Sequence, residues 1–304
     1  MQKEFLVSVA GGLLSAIMTS AILLNSGVGI ILGYFGLLPI MLVGFSSGIR
    51  YLTIASCFCA VSLIFFSSQA QATLYFFSMV IPSALICYLV LSQQHIKNKS
   101  SRWREIGEAV SAVTVLAIIY LLAGAAFLTD GSYNLESQIR GILNKIFSER
   151  MQIASALDRK LLISTIIPYF PALIASSWLI MILINAVIAQ SILIKINKNI
   201  RPRVKYSLFL APQWVYWVFT VFGAISLFGS GKIEFIAQNA CLISAIPFFL
   251  LGLTVFNHLA RRTRAPRTIL FIFYIFLSIS SWAIAICTIV GFFEEWLRLR
   301  EKYT

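Results

Sequence analysis

Two histidines, eleven acidic residues and five cysteines are the groups in this chain that acid–base, metal or nucleophilic chemistry would draw on. Their spacing argues against all three. His95 and His258 stand far apart, and no H-E-x-x-H run or intramembrane aspartate pair accompanies them. Cys57, Cys59, Cys87, Cys241 and Cys287 all lie in apolar runs and form no C-x-x-C; Cys57 and Cys59, two apart, point to nearly opposite sides of a helix. They read as small buried hydrophobes. No G-x-x-x-x-G-K-[ST] phosphate loop occurs, so the chain does not power transport itself. The expectation is therefore no enzyme, no metal and no cofactor.

Neutral polar side chains within apolar runs remain. Asn25, Gln69, Gln71, Gln238 and Asn239 fall near the ends of their runs, Asn185 and Gln190 lie deeper, and Trp178 is near the middle. An amide in hydrocarbon needs partners. Hydrogen bonding between helices is one account. The other is a pocket for a neutral or zwitterionic small molecule, lined by Asn25, Gln69, Trp178, Asn185 and Asn239 together with aromatic faces.

The elements that must position these groups follow from composition. The chain of 304 residues is 59% hydrophobic and 12% charged, with a mean hydropathy of +0.89. A soluble domain carries about 25% charged residues. The fold class predicted is all-α, a polytopic transmembrane bundle in which lipid solvates the outer faces. Nine apolar runs mark the helices, near 5–25, 29–48, 51–68, 72–91, 108–129, 163–192, 212–229, 235–257 and 269–292. The sixth is too long for an upright helix and holds Pro168 and Pro171, which predicts a kink or tilt. Met1–Leu24 has one Lys before its apolar run and no small-residue cleavage site soon after it, and reads as a retained first span. Residues 1–192 form one expected bundle, and 193–304 add three further spans.

Charge sets the threading. The stretches 97–104, 195–205 and 261–267 hold four, five and four Lys or Arg; with Lys3 and Arg50 they place fifteen of the 24 basic residues on one side. The positive-inside rule makes that side cytoplasmic, with the N-terminus inside and the C-terminus outside. The basic stretches would meet anionic lipid headgroups. A net charge of +13 distributed this way, without an aromatic-interleaved basic face, argues against nucleic acid. The apolar runs contain no Asp, Glu, Lys or Arg at depth, which disfavours a proton-driven carrier. In the long outer connector 134–160, Leu135, Ile139, Ile142, Ile146, Phe147, Ile153 and Leu157 follow helical spacing opposite Glu136, Arg140, Lys145, Glu149 and Arg159. That pattern fits an amphipathic helix in the outer interface or a lid over an outward-facing cavity.

The first run is thin along one flank. Ser8, Gly12, Ala16 and Ser20 recur every four residues, with Gly11, Ser15 and Thr19 beside them. Small residues at this spacing allow close helix approach in lipid. The neighbour is either another helix of this chain or a separate subunit. The run LLPIMLVGFSSGIRYLTIASCFCAV, with Pro39, Gly44 and Gly48, resembles the second and third spans of the substrate-binding S components of energy-coupling-factor transporters. That resemblance implies a partner-docking role for Ser8, Gly12, Ala16 and Ser20, and energising transmembrane and ATPase subunits as partners. Over nearly the whole chain, PALIASSWLIMILINAVIAQ, RPRVKYSLFLAPQW and GFFEEWLRLREKY resemble the YybS-like family of uncharacterised bacterial polytopic membrane proteins. This implies the bacterial inner (cytoplasmic) membrane. The functional expectation is a membrane-embedded, substrate-binding component of a small-molecule uptake system, of the vitamin or metabolite kind. The alternative is a non-transporting scaffold of the cell envelope.

Overall fold

The computed structural model describes residues 2–24, 26–94, 102–127, 139–145, 156–204 and 209–302. Asn25 and most of the 134–160 stretch lie outside them. The described residues are helical, apart from turns and one two-residue antiparallel ladder between Gln93–Gln94 and Arg102–Trp103. Two compact units divide the chain. Unit 1 comprises 1–113 and 178–210, and unit 2 comprises 114–177 and 211–304. The boundary read at 192 falls inside unit 1, because packing rather than chain order defines a unit.

Six helical stretches are long and apolar enough to cross a membrane: Gln2–Leu23, Gly27–Ser47, Gln69–Leu91, Ile106–Ala126, Lys160–Lys195 and Lys232–Ala260. The other three expected runs differ. Ile49–Phe65 and Gln213–Phe228 form shorter apolar helices, while Pro266–Ile279 and Ser281–Leu297 are bent by 115° at Ser280. Turn chemistry explains the short ones. Gly48, at φ +93, separates the second and third runs, and the Ser68 side chain caps a new helix by accepting from Gln71 N–H. Gly231, at φ +63, closes the turn after Phe228. The long sixth run stays one stretch, Lys160–Lys195, and its helix tightens to a 3₁₀ turn at Ile167–Tyr169, around Pro168.

In unit 1, α1 (Gln2–Ser20) packs on α4 (Ile49–Phe66), with α2 (Gly27–Tyr34) and α3 (Leu38–Ser47) completing the group. The thin flank makes this contact. Ser8, Gly12 and Ala16 are buried, and a Cβ on Gly12 would overlap the Ala55 carbonyl of α4. An intramolecular neighbour covers these three, while Ser20, the last of the row, is half-buried. The second row faces α3 and the turn before it, where Gly11 lies against Val43 and Ser15 bonds to Gly36.

Unit 2 contains the hairpin of Gln213–Phe228 and Lys232–Ser244, followed by Ile246–Ala260 and Ser281–Leu297. Tyr216, Phe219, Phe248, Phe292 and Trp296 meet with ring centroids 4.7–5.5 Å apart, the spacing of packed aromatics. Ile139 and Leu143, the described part of the amphipathic stretch, bury their apolar face against Ile163 and Ile167.

Candidate functional site

The stretch Gly27–Ser47 is interrupted at its centre. Its first half, α2, stops at Tyr34, and residues 35–37 form a turn before α3 begins. Pro39 has no N–H to continue the ladder across the turn. Inside an apolar bundle, carbonyls released this way need other donors. Asn185 supplies one, its Nδ2 donating to Tyr34 O at 3.0 Å and to Met181 O, one turn back on its own helix, at 2.8 Å. Ser15 supplies another, donating to Gly36 O at 2.5 Å. The Tyr75 hydroxyl lies 2.6 Å from Ser15 Oγ. Because the Ser15 proton is committed to Gly36, the phenol donates to Ser15. Ser15 and Asn185 are fully buried, and Tyr75 nearly so.

One atom at this break is unsatisfied. Asn185 Oδ1 is buried and has no hydrogen-bond partner. Ser56 Oγ, Ser111 Oγ and Gln190 Oε1, also in unit 1, are in the same condition. An unpaired buried polar group costs about 1–3 kcal/mol, so a ligand that donates a hydrogen bond to Asn185 would recover that free energy.

The other residues singled out by type also stand at helix breaks. Ser78 sits in a π-helical segment, Phe76–Val80, and the residue four positions on is Pro82, which cannot donate to its carbonyl. Trp178 Nε1 donates to that carbonyl at 2.8 Å. Asn239, fully buried in unit 2, closes the break at Pro168 and Pro171: its Oδ1 accepts from Ala172 N–H, while its Nδ2 donates to Pro168 O and Phe235 O, each at 2.8 Å. Gln69 is exposed in the first turn of Gln69–Tyr75. Thus Trp178 and Asn185 lie two turns apart on one helix of unit 1, Gln69 belongs to the same unit, and Asn239 belongs to the other. Asn25 lies outside the described residues.

Three residues escape a reading by residue type. Ser15 and Tyr75 are ordinary members of apolar helices, and only their meeting across 60 positions makes them a pair. Arg201 is one of five basic residues in its connector, yet it is buried, donating to Val90 O and Arg104 O at 2.9 Å each and lying 5.9 Å from the Trp103 ring centroid. Ile200 N–H bonds to Phe45 O, and Tyr51 OH to the Glu4 carboxylate. The N-terminal turn, the Gly48–Arg50 turn and the connectors flanking 97–104 and 195–205 therefore share one end of unit 1.

A family model described as "Predicted membrane protein (DUF2232)" matches residues 13–294. The chain belongs to this family. The matched residues include the central break in Gly27–Ser47 and all three side chains, Trp178, Asn185 and Asn239, that close helix interruptions. No curated protein and no solved structure matches the chain. The DUF2232 description and the apolar helices agree on a multi-helix membrane protein.

Proposed function

We propose that the chain is the membrane-embedded, substrate-binding component of a small-molecule uptake system, with its site at the break in Gly27–Ser47. The observation that carries this reading is Asn185 Oδ1, a buried acceptor without a donor beside a helix end. Interrupted helices at mid-depth, with exposed half-helix carbonyls and polar side chains, are how many carriers bind cargo. The side chains bonded here, Ser15, Tyr75 and Asn185, are all neutral, which suits a neutral or zwitterionic ligand that donates a hydrogen bond. Binding rather than catalysis is the proposed role. Because the sequence has no phosphate loop, energy would come from a partner ATPase subunit, as the resemblance to S components implies.

The proposed threading has nine crossings in the bacterial inner membrane with a cytoplasmic N-terminus: the six long stretches, the two shorter apolar helices and the final bent region. The gathering of basic connectors at one end of unit 1 supports it, since the positive-inside rule requires them to share a side. Residues 134–160 are proposed to lie at the outer interface.

Native mass spectrometry of the full chain released from lipid discs tests the binding reading. The wild type should carry a small-molecule adduct beyond lipid, reduced at least about tenfold in Asn185→Leu, the loss expected from about 1.4 kcal/mol. A wild type that carries lipid alone, both as isolated and after incubation with a cell metabolite extract, would overturn it.

A further inference from the structure

We propose that Pro266–Ile279 does not cross the membrane but lies in its plane, with Arg261, Arg262, Arg264 and Arg267 held against anionic lipid headgroups. Ser281–Leu297 then makes the last crossing alone. The inference rests on the membrane-spanning reading and deepens it.

Register supplies the first argument. Ile246–Ala260 and Ser281–Leu297 touch backbone to backbone: a Cβ on Gly252 would overlap the Cys287 carbonyl, and one on Gly291 the Phe248 carbonyl. Position 252 therefore faces 287 while 248 faces 291, an antiparallel pairing. Cys287 Sγ, 3.6 Å from Phe249 O, fits the same register. Continuing it places Ser281 beside His258, within one turn of the end of Ile246–Ala260. The chain leaves at Ala260 and returns at Ser281 at a single depth, so the residues between make no net crossing.

The bend supplies the second argument. Fourteen helical residues extend about 21 Å. Turned by 115° from the helix that follows, they advance only about 9 Å along its axis, and in the opposite sense. A crossing requires about 30 Å. The side contacts agree: Phe273 stacks on Phe256 at 4.6 Å, and Asn257 Nδ2 donates to Tyr274 OH at 2.7 Å, so the middle of this helix sits against the closing turns of Ile246–Ala260.

Surface chemistry names the occupant. The helix has no buried residue. Leu270, Phe273 and Leu277 share one half-covered strip, Ile269, Ile272, Phe276 and Ile279 are exposed on another, and Arg267, Tyr274 and Ser278 align on a third together with exposed Phe271. A largely apolar surface whose polar groups, Arg267, Tyr274 and Ser278, gather on one strip suits a helix sunk at the headgroup boundary. All four arginines are exposed, and the sequence has no Asp or Glu between Glu234 and Glu294. A basic surface with no acidic residue in its own stretch of chain fits the anionic headgroup layer. An upright helix would instead carry its exposed apolar positions through every depth.

An encoded environment-sensitive fluorescent amino acid, placed singly at Thr268, Ile272, Phe276 and Ile279 of the full chain, tests the geometry. The protein is reconstituted in mixed phosphatidylcholine–phosphatidylglycerol vesicles and quenched by lipids brominated at known depths. All four positions should report depths within about 10 Å of the headgroups, with Thr268 no more than about 7 Å deeper than Ile279, the tilt left by the 115° bend. Depth increasing steadily from Thr268 to Ile279 overturns the proposal. Probes at exposed Ile286 and Ile289 separate the two readings: if they are unquenched at every depth, the spanning assignment itself fails. Photoactivatable phosphatidylglycerol should crosslink residues 261–267 several-fold more than phosphatidylcholine, and lose that preference in the R261Q/R262Q/R264Q/R267Q protein. Equal crosslinking of the wild type by both lipids overturns the headgroup contact.

Discussion

A carbonyl that loses its helical donor inside a bilayer has no water to turn to, and side chains must replace what the backbone withdrew. Trp178, Asn185 and Asn239 each do this at a different interruption. Trp178→Phe keeps the ring but removes the indole donor to the Ser78 carbonyl, which should cost about 1 kcal/mol. Asn239→Leu strands both Ala172 N–H and Pro168 O, and should cost roughly twice as much. Thermal unfolding in mild detergent checks the order: Asn239→Leu should lower Tm more than Trp178→Phe, and wild-type values for both would discard this account. Asn185 differs from them because its amide oxygen remains unspent.

Among elements, close approach rather than apolar burial sets the packing, because lipid is as apolar as the helix faces it would replace. Gly12 against Ala55 and Gly252 against Cys287 are such contacts, each leaving no room for a Cβ. Gly12→Leu and Gly252→Leu should each cost about 3 kcal/mol or more, since backbone must separate from backbone. Gly124 provides the contrast, because a Cβ added there would meet nothing within 4 Å. Gly124→Leu should leave the melting temperature close to wild type. Equal losses in all three proteins would mean that glycine flexibility, not proximity, matters at these sites. The covered part of the flank is closed to a partner subunit under either reading, as Ser8, Gly12 and Ala16 already have their neighbour.

At the scale of the molecule, the threading predicts that thiols introduced in 97–104 and 261–267 react from the same side of the membrane, and a thiol after Leu299 from the other. Impermeant maleimide labelling of intact cells and of inverted vesicles distinguishes the sides. The first two sites reacting from opposite faces would break the nine-crossing arrangement. Arg201 belongs to this scale too, since it ties one basic connector to the residues bordering another. Arg201→Met should free the connector, and limited trypsin digestion should then cleave between Lys195 and Arg203 at least about tenfold faster, because cleavage tracks local opening. An unchanged cleavage rate would show that Arg201 does not hold it.

The sequence by itself determined that the chain is a helical membrane protein, for which apolar runs nearly empty of charge are sufficient warrant. It also marked where the sixth run departs from a regular α-helix, since a proline lacks its N–H in any fold, and it picked out Asn185 and Asn239, since amides in hydrocarbon require partners wherever they occur. Which partners they take, how Ser15 and Tyr75 join them, and that Pro266–Ile279 bends by 115° from Ser281–Leu297 were decided only in three dimensions. Hydropathy records how greasy a segment is, and that holds equally for a helix through a bilayer and one along its surface. Direction comes from what the segment packs against, here the antiparallel contact of Gly252 and Gly291 with their facing carbonyls.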